Sequence, residues 1–216
     1  DGDASYSIGR RSYGSFRVAN CEFFLLDTRS HRSLHDVSNP ANPGASMLGK
    51  QQLNWLKKSI DRSDADFFFM ASTVDFMIPH VGSGGGGDQN ASVAKDDAWT
   101  VFIDEREDLI RFFEEREEKQ FFMLTGDLHN SFAINVTPNV WEFASGPANS
   151  INHVPEKDEA NRPANGKFQY GPRECDIRWS TYVHSDTPRL ERQQPTYCVV
   201  QVNNVFNSPL QRGDER

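Results

Sequence analysis

Asp127, His129, Asn130 and Ser131 stand together just after an apolar run, Phe121-Phe-Met-Leu124, that stops at Thr125-Gly126. The run reads as a buried strand and the Thr-Gly pair as its end. Asp127 and His129 are two residues apart, so an extended or tightly turned tip aims both at one point. A carboxylate oxygen with an imidazole nitrogen suits a hydrolytic metal such as Zn, Fe or Mn. The carboxyl end of a buried strand is where α/β proteins keep their chemistry. The same spacing also suits a β-turn in which Asp127 caps backbone amides and His129 lies at the surface.

The elements that must carry this tip are legible as alternating runs. Residues 15–27 read as one long or two short strands, and residues 66–71 as another buried strand. Between them Leu48, Gln52, Trp55, Leu56 and Ile60 recur at helical spacing, which predicts a helix from about 48 to 60. A second amphipathic helix is expected over 98–119, with Trp99, Phe102, Ile103, Leu109, Ile110 and Phe113 on its apolar side. Its Glu/Arg-rich side reads as a solvated face. Strands are expected again over 132–134 and 140–144. Residues 146–178, rich in Asn, Pro and charge, read as a long excursion, and 179–184 with 196–202 as a closing antiparallel pair. This is an α/β pattern passing into a meander. The glycine tract at 82–87 lacks a Gly-Lys-Ser/Thr ending and reads as a surface loop rather than a phosphate cradle.

The chain has 216 residues, a net charge of −8 and 16 phenylalanines. That length suits one well-filled core. The acidic balance argues against a nucleic-acid-binding surface or attachment to anionic membrane. No apolar stretch is long enough to span a membrane. Cys21, Cys175 and Cys198 match no zinc spacing; either a Cys175–Cys198 bridge or three free thiols is compatible with them. Asn90 and Asn135 begin N-x-S/T sequons, and an extracellular, periplasmic or cell-surface location is expected. The opening Asp1-Gly-Asp-Ala-Ser reads as the interior of a longer chain.

Five blocks occur in fixed order: Phe24-Leu-Leu-Asp-Thr-Arg29, Leu48-Gly-Lys-Gln-Gln-Leu-Asn-Trp-Leu56, Asp97-Ala-Trp99 leading to Glu105-Arg106, Leu124-Thr-Gly-Asp-Leu-His-Asn-Ser131, and Glu142-Phe-Ala-Ser-Gly146. The series resembles the PhoD-like alkaline phosphatases and phosphodiesterases, within the calcineurin-like metallophosphoesterases. The resemblance implies an α/β fold, a sandwich of two mixed sheets flanked by helices. Residues 1–216 would supply roughly the C-terminal half of that one domain. The early loops that carry several of the family's metal ligands, of Gly-Asp-x-x-Tyr and Asp-Asp-His type, do not occur here. A partner is therefore expected: the N-terminal half, upstream or on another chain.

By the same resemblance Asp127 is a metal ligand, and His129 ligates metal or meets the phosphoryl or leaving oxygen. The cofactors would be divalent or ferric ions (Ca, Fe, Zn or Mn), and the substrate a phosphate mono- or diester. Asn130 is expected to support the site rather than ligate. Arg29 can grip a substrate phosphate bidentately; alternatively it joins Asp27 in an internal network holding the loop. His31 and His35 lie in the following loop. Ser72-Thr-Val-Asp75 stands where related enzymes place a histidine or amide ligand, a role open to Asp75 or His80. Trp55, Trp99 and Trp141 read as core anchors, Trp179 and Tyr182 as core or cleft mouth. A function from another class is also open: a non-catalytic subunit or degenerate module using the fold as an interaction surface.

Overall fold

The computed structural model describes residues 11–34, 43–81 and 97–202; the expectations for His35, the 82–87 glycine tract and Asn90 lie outside them. The described residues form one eight-stranded mixed sheet. Its strands are β1 (Gly14–Val18), β2 (Cys21–Leu25), β3 (Phe67–Ala71), β4 (Gln120–Thr125), β5 (Phe132–Thr137), β6 (Val140–Ala144), β7 (Gly166–Tyr170) and β8 (Arg173–Ser180). They lie in the order β1-β2-β3-β4-β6-β5-β8-β7. Strands β2, β3, β4 and β6 run parallel, and the remaining neighbours are antiparallel.

Parallel neighbours need a crossover, and helices supply two of them. Helix α1 (Gly49–Arg62) links β2 to β3, and α2 (Ile103–Glu114) lies between β3 and β4. Helix α1 buries Gln52, Leu56 and Ile60; α2 buries Leu109, Ile110 and Phe113. On the sheet side Phe24, Phe68 and Phe121 are completely buried. The Phe113 ring stacks on Phe121 at 4.5 Å, and Trp55 meets Phe24 edge-on at 5.7 Å. This is the principal apolar core, and burial of rings this large is a main source of its stability.

Because side chains alternate along a strand, the residues between those rings face the other side of the sheet. There the register aligns Phe16, Phe23, Phe69, Phe122 and Trp141 in one row across β1, β2, β3, β4 and β6. Phe16–Phe23, Phe23–Phe69 and Phe69–Phe122 stack with centroids 4.9 Å apart. Phe16 and Leu25 remain about half exposed.

The motif blocks away from the tip hold the scaffold. Gln52 Oε1 accepts the Asp27 N–H and its Nε2 donates to the Asp27 carbonyl, each at 2.9 Å. Glu105 accepts the Met47 and Leu48 amides at 3.1 and 2.9 Å, tying α2 to the start of α1.

Several expectations need correction. The helix expected over 98–119 is a 3-10 turn, Trp99–Val101, followed by α2, which stops at Glu114. Asn139 Nδ2 donates to the carbonyls of Phe113, Arg116 and Lys119 at 2.9, 3.2 and 3.3 Å, so a distant side chain closes the helix end. The 146–178 segment is no structureless excursion: it contains α3 (Pro155–Asp158), β7 and most of β8. Strand β8 ends at Ser180 and pairs with β5 and β7, whereas residues 196–202 form no strand. All three cysteines are free. Cys175 is buried in β8, where burial first and the Glu142 charge second push its thiol up to about 12. Cys198 is exposed.

Candidate active site

Strand β4 ends at Thr125, and the chain turns at once through Gly126 and Asp127. Asp127 has φ +76°, a left-handed conformation that Asp tolerates better than most side chains. The turn exposes the Asp127 side chain, buries Leu128 and leaves His129 half-buried. Asp127, Leu128 and His129 line a cleft of about 210 Å³ with Ser145, Gly146 and Pro147 from the end of β6. The two residues singled out by spacing therefore share one cleft. Gly146 is packed hard against the tip: a Cβ there would lie 2.8 Å from Ser131 Oγ and 2.9 Å from the Asn130 carbonyl carbon. Ser131 Oγ accepts the Gly146 N–H at 2.6 Å.

His129 Nδ1 lies 2.9 Å from the Ile151 carbonyl oxygen. A carbonyl only accepts, so Nδ1 carries a proton, and in the neutral ring the lone pair is on Nε2. Asn130 is fully buried. Its Nδ2 donates to Glu159 Oε1 at 2.6 Å and to the His153 carbonyl at 3.1 Å. Its Oδ1 accepts from Asn152 Nδ2 at 2.9 Å and from the Thr181 hydroxyl at 3.0 Å. Glu159 is paired with Arg162, both completely buried. Burial pushes the Glu159 pKa up and the Arg162 charge opposes it. Arg162 also lies over the Phe132 ring at 4.5 Å.

A second buried network underlies the tip. Glu142, on β6, accepts the amides of Phe76 and Met77 at 2.7 and 2.8 Å and the Thr125 hydroxyl at 2.8 Å. Asp75 lies 3.4 Å from the Thr125 hydroxyl. Burial, reinforced by the charges of Glu142 and Glu159, pushes the Asp75 pKa well up. Burial raises Glu142 too, but its amide and hydroxyl donors pull the other way. The Thr125 hydroxyl has one proton, which goes to the closer Glu142. A protonated Asp75 donating to the Thr125 oxygen then satisfies the whole chain of three groups.

The other candidates are placed differently. Asp27 accepts the Arg29 and Ser30 amides at 3.0 and 2.8 Å and a hydrogen bond from Ser12 Oγ, so it closes the turn after β2. Partial burial works to raise its pKa, but the hydrogen bonds from Ser12, Ser30 and Arg29 outweigh it and hold the carboxyl below the usual range. Arg29 does not pair with Asp27 through its guanidinium; that group is 3.3 Å from Asp97, which also binds Arg32 at 2.8 Å. Arg29 is not among the residues lining the Asp127 cleft. His31 Nε2 is 3.8 Å from Asp27. Asp75 lies under the tip, and His80 is joined to it through another ring: His80 and His153 centroids are 5.1 Å apart, His153 and His129 4.5 Å. Trp99 is completely buried. Trp179 is about half exposed, and Tyr182 packs beside Arg162.

Sequence reasoning overlooked Glu142 as more than a motif residue, and all of Ile151, Asn152, His153, Glu159 and Arg162. A glutamate inside an apolar strand was a readable signal. The others sit in polar stretches that carry none.

A mixed sheet with its polar constellation at the carboxyl ends of parallel strands is the arrangement in which α/β proteins keep their ligand sites. The model of the PhoD-like phosphatases matches residues 4–189, and the chain belongs to that family. It is 29% identical over 133 residues to alkaline phosphatase D of Bacillus subtilis (strain 168), a match covering 57% of this chain and 22% of that protein. A solved structure described as the structure of PhoD matches with a TM-score of 0.52 at 24% identity, covering 63% of this chain and 28% of the other. That likeness shows the fold. The chain thus spans less than a third of either relative.

Proposed function

We propose that the chain carries part of the metal and phosphate site of an enzyme hydrolysing phosphate mono- or diesters. The observation supporting this most directly is the shared cleft of Asp127 and His129, with the His129 tautomer set by Ile151. An exposed carboxylate and a neutral imidazole with its Nε2 lone pair available make a donor set that suits Ca, Fe, Zn or Mn in part. Among the described residues no group of three possible ligands gathers, so the remaining ligands would come from the rest of the protein.

Bound cations would supply Lewis-acid polarisation of the phosphorus centre and acidify the water nucleophile. Asp127 would hold a cation at the cleft floor. His129 would ligate through Nε2 or meet the phosphoryl or leaving oxygen with it. Arg29, the candidate for a bidentate phosphate grip, would have to leave Asp97 and move into the cleft, since it stands outside the cleft lining. Ser145, Gly146 and Pro147 complete the cleft lining.

The row of stacked rings on the sheet face away from the helices supports a partner: the N-terminal half of the same domain, laid over that face as the second sheet. Family membership and the sequons make an extracellular, periplasmic or cell-surface site the reading for location. Among the described residues no helix is long and apolar enough to cross a membrane.

The test uses the full-length, metal-loaded protein. Asp127→Asn is expected to lower metal content and to cut hydrolysis of a chromogenic phosphomonoester and phosphodiester. The loss should be at or beyond about 100-fold, the upper end for groups that only support a ligand. Wild-type metal content and both activities in that variant would sink the reading and leave the non-catalytic module in its place.

A further inference from the structure

We propose that His153 is a positioning residue for His129, and that residues 150–153 act as a clamp fixing that imidazole in one rotamer and one tautomer. The inference deepens the proposed role of His129 and rests on that reading for its functional consequence. A histidine on an exposed turn has several staggered side-chain wells and two neutral tautomers open to it. Here three neighbouring groups restrict it. Ile151 contributes a carbonyl 2.9 Å from Nδ1, and Ser150 Oγ lies 3.3 Å from the same nitrogen. His153 lays its ring on the imidazole at a centroid distance of 4.5 Å and an interplanar angle of 26°.

The segment belongs to no helix or strand, so something else must hold it. Asn130, the residue directly after His129, is that anchor, donating to the His153 carbonyl and accepting from Asn152. Asn152 Oδ1 in turn accepts the Gln194 N–H at 2.7 Å. Tip and clamp are thereby pinned to each other within one residue of the ring they control. The interleaved bonds leave little play between the His129 backbone and the surface its ring rests on. The stacking face is supplied by carbon and nitrogen atoms of a flat ring, so another flat ring can replace it.

The geometry makes His129 Nε2 point in one direction before any ligand or substrate arrives. Its loss should cost what losing an outer support of a ligand usually costs, roughly 10-fold in metal retention or turnover. The test again uses the full-length protein, with His153→Ala, His153→Phe and His129→Ala. Nitrogen-15 NMR of the imidazoles in the metal-free form reads the His129 tautomer directly, and the signal missing from His129→Ala identifies it. His153→Ala should free the His129 ring to rotate away from the Ile151 carbonyl, mixing its two tautomers and weakening metal retention and kcat/KM by roughly 10-fold. His153→Phe should restore the single tautomer and most of both losses. An unchanged tautomer in His153→Ala, or no rescue by Phe, would overturn the clamp. His129→Ala separates the two levels. If it retains metal and turnover, the proposed role of His129 fails, while the tautomer measurement still decides the clamp by itself.

Discussion

Asp127 occupies a backbone conformation that costs an L-residue about 1–2 kcal/mol and costs glycine almost nothing. Strain of this kind persists where the surroundings over-determine it, and it clusters at functional sites. Replacing Asp127 by glycine in the full-length, metal-free protein relieves that strain at the cost of a freer unfolded chain, so the unfolding free energy read from urea titration should rise by up to about 1 kcal/mol. The same variant should lose metal retention, because the carboxylate is gone. Stability and binding moving in opposite directions is the expected outcome; a destabilised Asp127→Gly would show that the carboxylate supports the fold. The acid–imidazole pair itself was legible in the sequence, because it follows an apolar run and a stop. Its supports were not. His153 and Asn152 lie in a polar stretch, and nothing local says that a ring 24 positions later will land on His129.

Where three strands end, β3 and its following turn, β4 and β6, Asp75, Thr125 and Glu142 form one buried junction. The sign of its pH dependence follows from the direction of the shifts. A carboxyl whose folded pKa is raised above its unfolded value contributes stability that is fully present below the unfolded pKa and is lost as pH rises through the folded pKa. Urea midpoints of the full-length protein should thus carry a component that declines upward from about pH 4, as Asp75 and Glu142 are forced toward two charges in one buried site. Asp75→Asn keeps a neutral side chain at that point and should flatten that decline; an unchanged slope would place the titrating group elsewhere. Strands β2, β3 and β4 were readable because each is a phenylalanine-rich run buried on the helix side. The β7–β8 hairpin was missed although its signal exists: Cys175 and Ile177 alternate with Glu174, Asp176 and Arg178, after a two-residue Gly171-Pro172 turn with Gly171 at φ +75°. Charge on the outward face hid the period. The early end of α2 had no local cue, since Asn139 imposes it from beyond β4 and β5.

Among the described residues, helices cover one face of β2 to β4, and a row of aromatic rings crosses the other face from β1 to β6. Chain 1–216 expressed alone should bind a hydrophobic dye such as ANS and self-associate as concentration rises, since a patch of this kind seeks cover. Adding the complementary half of the domain should suppress both effects. A dye-silent, concentration-independent monomer would show that the ring-lined face is not an interface. The strand order has a further consequence, in the time domain. From β1 to β4 every new strand docks on the edge left by the one made before it, and the later pairs extend the sheet in the same direction. A chain leaving the ribosome at about 5–20 residues per second can build β1 to β4 as it emerges, whereas the edge of β4 waits for β6 while β5 is made, and the outer edge of β5 waits for β8 while β7 is made. The Asp127–His129 turn is synthesised before the segment that steadies it, which follows about 20 residues later. A nascent chain arrested after β6 should therefore display the tip with His129 still rotating freely, and the site should become rigid only when residues 150–153 have cleared the tunnel.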